Sequence, residues 1–258
     1  MHFETIKNIK KYLKNNIEVL EPMKNYVKYR NVILPPRELR YCGEAFKEDS
    51  YFLQSGIEET QRLTGSLGLT HKSYLLDIGC GPGRLPIGIL KAIGEINYQG
   101  VDVDQKSIDW CNKYISRSHP SFRFIWVNAK NDRYNPEGIE MDGNFRLPFN
   151  FNSFDIIYLH SVFTNMLEKD VRIYIKEFSR VLKPCGRLFL TAFIEENVPD
   201  ITVNPDNYLR SCHGPLNIVR YEKNFFLSMF LDNGFNIQRF DHGLEFGGES
   251  GLYLAPIM

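Results

Sequence analysis

The pattern of apolar positions divides the chain into an amphipathic start and a long alternating region. Over residues 3–20, apolar residues recur three or four positions apart with lysines between them, which predicts an amphipathic helix. The lysines could contact lipid or RNA, but a solvated face over a buried stripe is the simpler interpretation, and we adopt it. Prolines interrupt the chain at Pro22 and Pro35, and residues 49–67 predict a second helix. We therefore expect residues 1–70 to form an N-terminal helical cap.

From residue 71 onward, strand-like runs alternate with helix-like runs, which predicts a parallel sheet covered by helices on both faces. The strand-like runs are residues 74–78, 97–102, 123–127, 154–160, 186–193, 236–241 and 252–256. Helices are predicted over residues 170–182, with a break at 183–186, and over 221–233. The predicted fold class is α/β, doubly wound, with a mostly parallel seven-stranded sheet, and residues 71–258 form this Rossmann-like domain.

Charge and cysteine content narrow the classes of partner and site. In the 258 residues, 31 Lys and Arg balance 31 Asp and Glu, so no net field attracts nucleic acid or an anionic membrane. The five cysteines include no Cys-x-x-Cys pair, which argues against a disulfide framework or a zinc site. The first residues lack the apolar run of a secretion signal or a membrane span. We expect a cytoplasmic monomer or homodimer without a metal, a nucleic-acid partner or a membrane partner.

A glycine-rich turn follows the first predicted strand of the sheet. Residues 77–83 read DIGCGPG, and glycines in such a turn allow positive φ and close approach of a ligand to the backbone. Asp102 ends the next strand and follows Gly81 by 21 residues. This spacing is close to the roughly 20 residues that place a carboxylate on ribose hydroxyls in a βαβ unit. The turn and the acid together predict a nucleotide-like ligand.

The form of the turn narrows the identity of this ligand. It reads G-x-G-x-G with Asp77 two residues before the first glycine, whereas the dinucleotide fingerprint is G-x-G-x-x-G. A carboxylate here would repel a pyrophosphate but suits an ammonium, and S-adenosylmethionine carries an ammonium and a sulfonium. Alternatively, Asp77 only bonds the loop backbone. The expected cofactor is S-adenosylmethionine, and its expected contacts are Asp77, Gly79, Cys80, Gly81, Gly83, Asp102 and Val103.

Four segments resemble motifs of the class I S-adenosylmethionine-dependent methyltransferases, particularly the small-molecule branch called methyltransferase type 11. They are residues 76–84, residues 100–102, residues 147–149 with 154–164, and residues 180–188. The resemblance covers roughly residues 74–193. It implies that Asn128 and Ala129 lie beside the adenine. Two positions depart from the family pattern, because Cys185 replaces a usual glycine and Asn165 stands where related sequences often carry histidine.

The resemblance implies transfer of a methyl group from S-adenosylmethionine to a small-molecule acceptor, at oxygen or nitrogen, by direct in-line displacement. His160 ends the fourth predicted strand, where open parallel sheets bind ligands, so it is the candidate general base. It could instead contact the cofactor or be structural. Tyr51 in the cap and His213 in a long loop are candidate substrate-binding residues. The alternatives are a non-catalytic S-adenosylmethionine-binding regulator or scaffold and, with less support, an NAD-dependent oxidoreductase.

Overall fold

The computed structural model describes residues 25–41 and 43–257, and the predicted helix over residues 3–20 lies outside them. The strands are β1 (Val27–Tyr29), β2 (Val32–Leu34), β3 (Tyr74–Ile78), β4 (Asn97–Asp102), β5 (Phe122–Trp126), β6 (Phe154–Leu159), β7 (Leu182–Glu195), β8 (Ile201–Val203), β9 (Val219–Glu222), β10 (Phe235–Asp241) and β11 (Ser250–Pro256). The α-helices are α1 (Asp49–Leu67), α2 (Arg84–Ala92), α3 (Gln105–Cys111), α4 (Glu168–Val181) and α5 (Lys223–Leu231). A π-helical turn extends α3 over Asn112–Ser116.

The central sheet has the strand order β10-β11-β7-β6-β3-β4-β5. The five strands from β7 to β5 pair in parallel, and β11 and β10 pair antiparallel at one edge. This confirms the doubly wound, mostly parallel prediction. The short strands β8 and β9 also join the sheet, through parallel pairing of β9 with β7, so within residues 25–41 and 43–257 it has nine strands instead of seven. The strand order reverses beside β3, and ligands of open α/β sheets bind at the carboxyl ends of the strands at such a point.

Several predicted boundaries change in the structure. The bounds of β3 and β4 match the prediction, but β7 begins at Leu182 directly after α4. The helix stop predicted at residues 183–186 agrees with the end of α4 at Val181, but the strand begins at Leu182 instead of Gly186. Leu182 pairs with Phe154 and Arg187 pairs with Ile156, so residues 183–186 form a bulge in the pairing of β7 with β6. Tyr221 belongs to β9, because α5 begins only at Lys223.

The described part of the predicted cap contains a β-hairpin as well as a helix. Strands β1 and β2 pair antiparallel through a turn in which Arg30 and Asn31 have φ of 45° and 63°. Two successive positive φ values are typical of a type I′ hairpin turn. The predicted helix over residues 49–67 is present as α1. The division into a cap over residues 1–70 and a domain over residues 71–258 remains a prediction.

The core lies on both faces of the sheet, with side chains alternating along each strand. On β3, Leu75 packs in a cluster with apolar residues of α1, α2 and α3, whereas Leu76 packs in a cluster with those of α4 and α5. Period-two alternation of this kind is typical of a strand that is buried on both faces. Among the described residues, no helix is long and apolar enough to cross a membrane, and no group of three or more His, Cys, Asp and Glu side chains could hold a metal ion.

Two glycines let α1 and α2 approach with their backbones in contact. A Cβ at Gly88 of α2 would lie 2.1 Å from the carbonyl oxygen of Gly56 on α1. We expect Gly88→Ala to lower the free energy of unfolding by about 1–3 kcal/mol, because the helices must separate to accept the methyl group. Urea denaturation measures this change.

The matched control for this variant is Gly65→Ala on α1, where an added Cβ would meet nothing within 4 Å. Alanine there should stabilise the protein by about 0.5–1 kcal/mol, since it only restricts the unfolded chain. Equal effects of the two substitutions would contradict the close backbone contact.

Candidate functional site

Three glycines in left-handed conformations form the turn between β3 and α2. Gly79, Gly81 and Gly83 have φ of 71°, 50° and 87°, which residues with a Cβ rarely adopt. A Cβ at Gly79 would lie 2.4 Å from a methyl group of Val162, whereas a Cβ at Gly81 would meet nothing within 4 Å. Gly79 therefore allows close packing against the loop after β6, and Gly81 borders open space.

The backbone amides of this turn are bonded within the protein. The N–H groups of Gly79 and Cys80 donate to the carbonyl oxygen of Val101 at 2.8 and 3.1 Å. The N–H of Gly81 donates to Oδ2 of Asp102 at 2.7 Å. Phosphate-binding glycine turns direct free N–H groups at the phosphate oxygens. The three amides of this turn already have acceptors, so they do not form a cradle for a pyrophosphate.

Asp102 ends β4 beside the turn, and both of its carboxylate oxygens are held in place. Oδ2 accepts from Gly81 as described, and Oδ1 accepts from the N–H of Asp104 at 2.8 Å. Each oxygen keeps a further lone pair for a hydroxyl donor. Burial raises the pKa of Asp102 to about 6, although the amide hydrogen bonds oppose this rise. At pH 7 the carboxylate is mostly ionised and can accept hydrogen bonds from a ligand.

Asp77 is a buried carboxylic acid on β3 with 2% of its surface exposed. Tyr98 on β4 donates its hydroxyl hydrogen to Oδ2 of Asp77 at 2.5 Å. Burial raises the pKa of Asp77 to about 7, while the Tyr98 hydrogen bond and the charge of Arg84 oppose this rise. An adjacent cation favours the ionised form of such an acid. The site is therefore suited to a positively charged group.

Two cavities adjoin along the glycine turn. Cavity A lies at the carboxyl ends of β4, β5 and β6, and its walls include Asp102, Val103, Ala129, Asn131, Met166 and Tyr174. Cavity B lies toward the segment before α1, and its walls include Phe46, Asp77, Cys80, Arg84, Tyr158 and Phe246. The residues that line both are Tyr41, Gly79, Gly81, Pro82, His160 and Ser161. The two acids thus lie in neighbouring cavities on either side of one turn.

His160 follows β6 directly and lines both cavities. Its half-buried ring lies nearly parallel to the ring of Tyr158, with the centroids 6.3 Å apart. Burial and the positive charges of Arg84 and Arg62 hold the pKa of His160 well below its usual range. The imidazole is therefore neutral at pH 7, with one N–H donor and one nitrogen lone pair.

Comparison with known proteins shows the family of the segment that holds this site. A methyltransferase-domain family model matches residues 76–190. An uncharacterized methyltransferase of Schizosaccharomyces pombe is 29% identical over 155 residues, covering 59% of this chain and 51% of that protein. The 27-O-demethylrifamycin SV methyltransferase of Amycolatopsis mediterranei is 29% identical over 135 residues, covering 52% and 44%. These matches identify residues 76–190 as a methyltransferase domain of the class I S-adenosylmethionine-dependent type.

A solved methyltransferase structure has the same fold. The magnesium protoporphyrin IX methyltransferase of Synechocystis PCC 6803, determined with bound S-adenosylmethionine, superposes with a TM-score of 0.55 at 15% identity, covering 85% of this chain and 89% of that one. At this identity the likeness concerns the fold alone. The chain spans about half the length of the curated relatives it matches. The resemblance to methyltransferases predicted from the four motifs is confirmed for residues 76–190.

Most of the predicted cofactor-binding residues line the two cavities. Those in cavity A are Gly79, Gly81, Asp102, Val103, Ala129 and His160, and those in cavity B include Asp77 and Cys80. Gly83 and Asn128, although described by the structure, line neither cavity. Gly83 precedes the first residue of α2, and Oδ1 of Asn128 accepts from Nδ2 of Asn135 at 3.1 Å. Their contact with the cofactor remains a prediction.

The two predicted substrate-binding residues do not line the cavities. Tyr51 on α1 is 38% exposed, and the edge of its ring packs against Phe46 with a centroid distance of 5.1 Å. His213 is exposed in the loop before β9, and its carbonyl oxygen accepts from Arg133 at 3.4 Å. Neither of these described side chains lines cavity A or B, so their contact with an acceptor remains a prediction.

Sequence reasoning missed several residues that line the cavities. Ser161 follows the candidate base His160 directly in the sequence. The only sequence feature that could have indicated Tyr41 is that it is an aromatic residue in the predicted cap. Asn165 was noted as a replacement for histidine, and its Nδ2 donates to the carbonyl oxygens of Leu216 and Asn217 at 2.6 and 3.1 Å. Asn165 thereby ties the loop before β9 to a wall of cavity A.

Proposed function

We propose that this protein transfers a methyl group from S-adenosylmethionine to an oxygen or nitrogen atom of a small-molecule acceptor. The arrangement of Asp102 and Asp77 on either side of the glycine turn carries this proposal. An ionised carboxylate at the end of β4 suits the two ribose hydroxyls, and a buried acid on β3 suits the ammonium of the methionine moiety. The adenosine would then lie in cavity A, and the methionine moiety would extend toward cavity B.

The bonded amides of the turn support S-adenosylmethionine over a dinucleotide. A pyrophosphate needs several free N–H donors at a glycine turn, whereas those of Gly79, Cys80 and Gly81 already have acceptors within the protein. A buried acid such as Asp77 would also repel the phosphates. Both features disfavour an NAD-dependent oxidoreductase and suit a cationic cofactor.

Catalysis would depend mainly on positioning by residues of this chain. S-adenosylmethionine would supply a methyl group activated by its sulfonium, so that a bond from an aligned acceptor atom to the methyl carbon would replace the carbon–sulfur bond and S-adenosylhomocysteine would leave. Well-oriented groups reach effective molarities of about 10⁵–10⁸ M, so alignment accounts for much of the rate. His160 is the candidate proton acceptor for a hydroxyl or amine, since its neutral ring borders both cavities.

The small-molecule acceptor is supported by the walls of cavity B and by one relative. Phe46 and Phe246 meet edge to face there at a centroid distance of 5.1 Å, which provides apolar surface for a compact ligand. The rifamycin methyltransferase among the relatives is named for a small-molecule acceptor.

Thermal unfolding with three ligands tests the cofactor assignment. We expect S-adenosylmethionine and S-adenosylhomocysteine each to raise the unfolding midpoint by about 5–10 °C at 100 times Kd, because linkage then contributes about 2.7 kcal/mol at 2–4 °C per kcal/mol. NAD should leave the midpoint unchanged. A rise with NAD alone, or with none of the three ligands, would contradict the proposal.

Transfer of labelled methyl groups from S-adenosylmethionine to a panel of small alcohols, phenols and amines then separates an enzyme from a non-catalytic binder. Binding without transfer to any member of the panel would favour a regulatory or scaffold role.

A further inference from the structure

Glu249 is a buried acid next to the candidate base, and it lies far from the glycine turn in sequence. It precedes β11 and has 4% of its surface exposed. Its Oε1 accepts from the Ser161 hydroxyl at 2.6 Å, and its Oε2 accepts from the Thr191 hydroxyl at 2.5 Å. A buried carboxylic acid is unfavourable unless its oxygens are hydrogen-bonded, and here both oxygens have partners.

Ser161 links this acid to the imidazole of His160. Its Oγ lies 3.2 Å from Nδ1 of His160, and its backbone N–H donates to the hydroxyl oxygen of Thr191 at 2.8 Å. Ser161 also has φ of 57°, a left-handed conformation that is unfavourable for residues other than glycine. Glu249 and Thr191 together hold the serine in this conformation between the acid and the ring.

The hydrogens of this chain can be assigned by counting donors. An ionised carboxylate only accepts, so the hydroxyl hydrogens of Ser161 and Thr191 both point to Glu249. Ser161 has no second hydrogen, and toward His160 its oxygen can only accept. A hydrogen on Nδ1 would complete this contact, whereas an Nδ1 without a hydrogen would direct its lone pair at those of the serine oxygen; a neutral ring with Nδ1–H has its free lone pair on Nε2.

The surroundings of Glu249 leave its carboxyl group ionised near pH 8, as this assignment of hydrogens requires. Burial raises the pKa of Glu249 to about 7, whereas the hydroxyls of Ser161 and Thr191 and the charge of Arg210 oppose the rise, and Glu245 adds to it. At pH 8 the carboxylate is therefore mostly ionised and accepts from both hydroxyls.

The charged groups that face His160 come from other elements. Arg84 on α2 and Arg62 on α1 lower its pKa in addition to burial. Arg62 is itself paired with Glu245 and, at 3.3 Å, with Glu59. The His160 ring stays neutral over the pH range in which Glu249 is ionised. The ring therefore has two possible forms there, the Nδ1–H and the Nε2–H tautomer.

We propose that Glu249 is a positioning residue that acts through Ser161 to fix His160 as the Nδ1–H tautomer, with Nε2 as the proton acceptor at the cavities. A carboxylate that sets the tautomer of a histidine general base is a known device of acyl-transfer enzymes. In this chain a serine hydroxyl stands between the two groups. The catalytic use of Nε2 rests on the proposed methyl transfer, but the tautomer itself does not.

Nitrogen-15 NMR of the histidine rings tests this assignment in the protein without ligands. At pH 8, His160 should show a protonated Nδ1 and an unprotonated Nε2, and its signals are identified by their loss in His160→Gln. Two variants break the chain at different points. Glu249→Leu frees the Ser161 hydroxyl hydrogen to donate to Nδ1, and Ser161→Ala removes the acceptor of the Nδ1 hydrogen. Both should shift His160 toward the Nε2–H form.

The control for these variants is Ser153→Ala before β6, where the hydroxyl donates to the carbonyl oxygen of Asn150 at 2.9 Å; it should leave the His160 signals unchanged. If Glu249→Leu fails to fold, Ser161→Ala still decides, since it removes a single oxygen. An Nε2–H ring in the unsubstituted protein, or an unchanged Nδ1–H ring in both variants, would overturn the proposal. Failure of the methyl-transfer proposal would appear instead in the ligand titration, which does not depend on the tautomer.

Discussion

Asp102→Ala should weaken the binding of S-adenosylmethionine by about 10²–10⁴-fold. Two ribose hydroxyls donating to one carboxylate form charge-assisted hydrogen bonds of about 1.5–3 kcal/mol each, and each 1.4 kcal/mol corresponds to about a factor of ten. The substitution also removes the acceptor of the Gly81 N–H, which holds the turn against β4. Isothermal titration calorimetry measures the affinity directly.

The matched control for this variant is Asp109→Ala, which removes an exposed carboxylate from α3 and should leave the affinity unchanged. Asp102→Asn removes the charge with a smaller change in the turn, because its amide oxygen can still accept from one of the two backbone N–H groups that Asp102 binds. It should also bind weakly, and its unfolding midpoint shows whether the turn is still folded. Affinity within about threefold of the unsubstituted protein in Asp102→Ala would contradict the assignment of the ribose to this residue.

The parts of the site that sequence predicted are the ones encoded by neighbouring residues. The bounds of β3 and β4 were correct because each is a short run that ends at a turn signal or an acid. The placement of Asp102 against Gly81 followed from the fixed length of a βαβ unit. Both features belong to one continuous segment, and local spacing is sufficient to find them.

Other contacts join segments that are far apart in the chain, and no local pattern encodes them. Ser161 and Glu249 are separated by 88 residues, and their contact depends on the pairing of β11 with β7 and of β7 with β6. The approach of Gly56 to Gly88 likewise depends on how α1 crosses α2. Such contacts follow from the strand order and the helix packing, whereas the sequence pattern predicted only the fold class.

Local signals did not specify two details of the strands. The hairpin turn at Arg30 and Asn31 lacks the Asn-Gly or Asp-Gly pair that usually marks a type I′ turn. The run Lys183-Pro184-Cys185-Gly186 has the residues of a helix stop, and α4 does end before it, but the run forms a bulge inside β7 instead of a turn before the strand.

Asp77→Asn should stabilise the free protein at pH 8 by about 3–4 kcal/mol, which corresponds to a rise of the unfolding midpoint on the order of 10 °C. Burial raises the pKa of Asp77 to about 7 in the folded state, against about 3.9 in an unfolded chain. Between these values the folded protein keeps a proton that the unfolded chain has released. The contribution of Asp77 to stability therefore falls as pH rises from about 4 to about 7 and stays low above that range.

Asparagine removes the cost of burying an ionised side chain and keeps an oxygen that accepts from Tyr98. The stabilisation should decrease to about 1–2 kcal/mol at pH 5, where Asp77 is protonated in the folded protein and only the unfolded chain is ionised. Differential scanning calorimetry at pH 5 and pH 8 measures both values, with Asp109→Asn as the exposed control. Destabilisation at pH 8, or the same shift at both pH values, would contradict the raised pKa.

The same variant should bind S-adenosylmethionine at least about tenfold more weakly, because the amide cannot pair with the ammonium as a charge. Stabilisation of the free protein together with loss of ligand affinity is the signature of a charge kept for function at the expense of folding stability. A purely structural Asp77, bonded only to Tyr98, would give stabilisation without loss of affinity. The pair of measurements on one variant therefore separates the two interpretations of this acid.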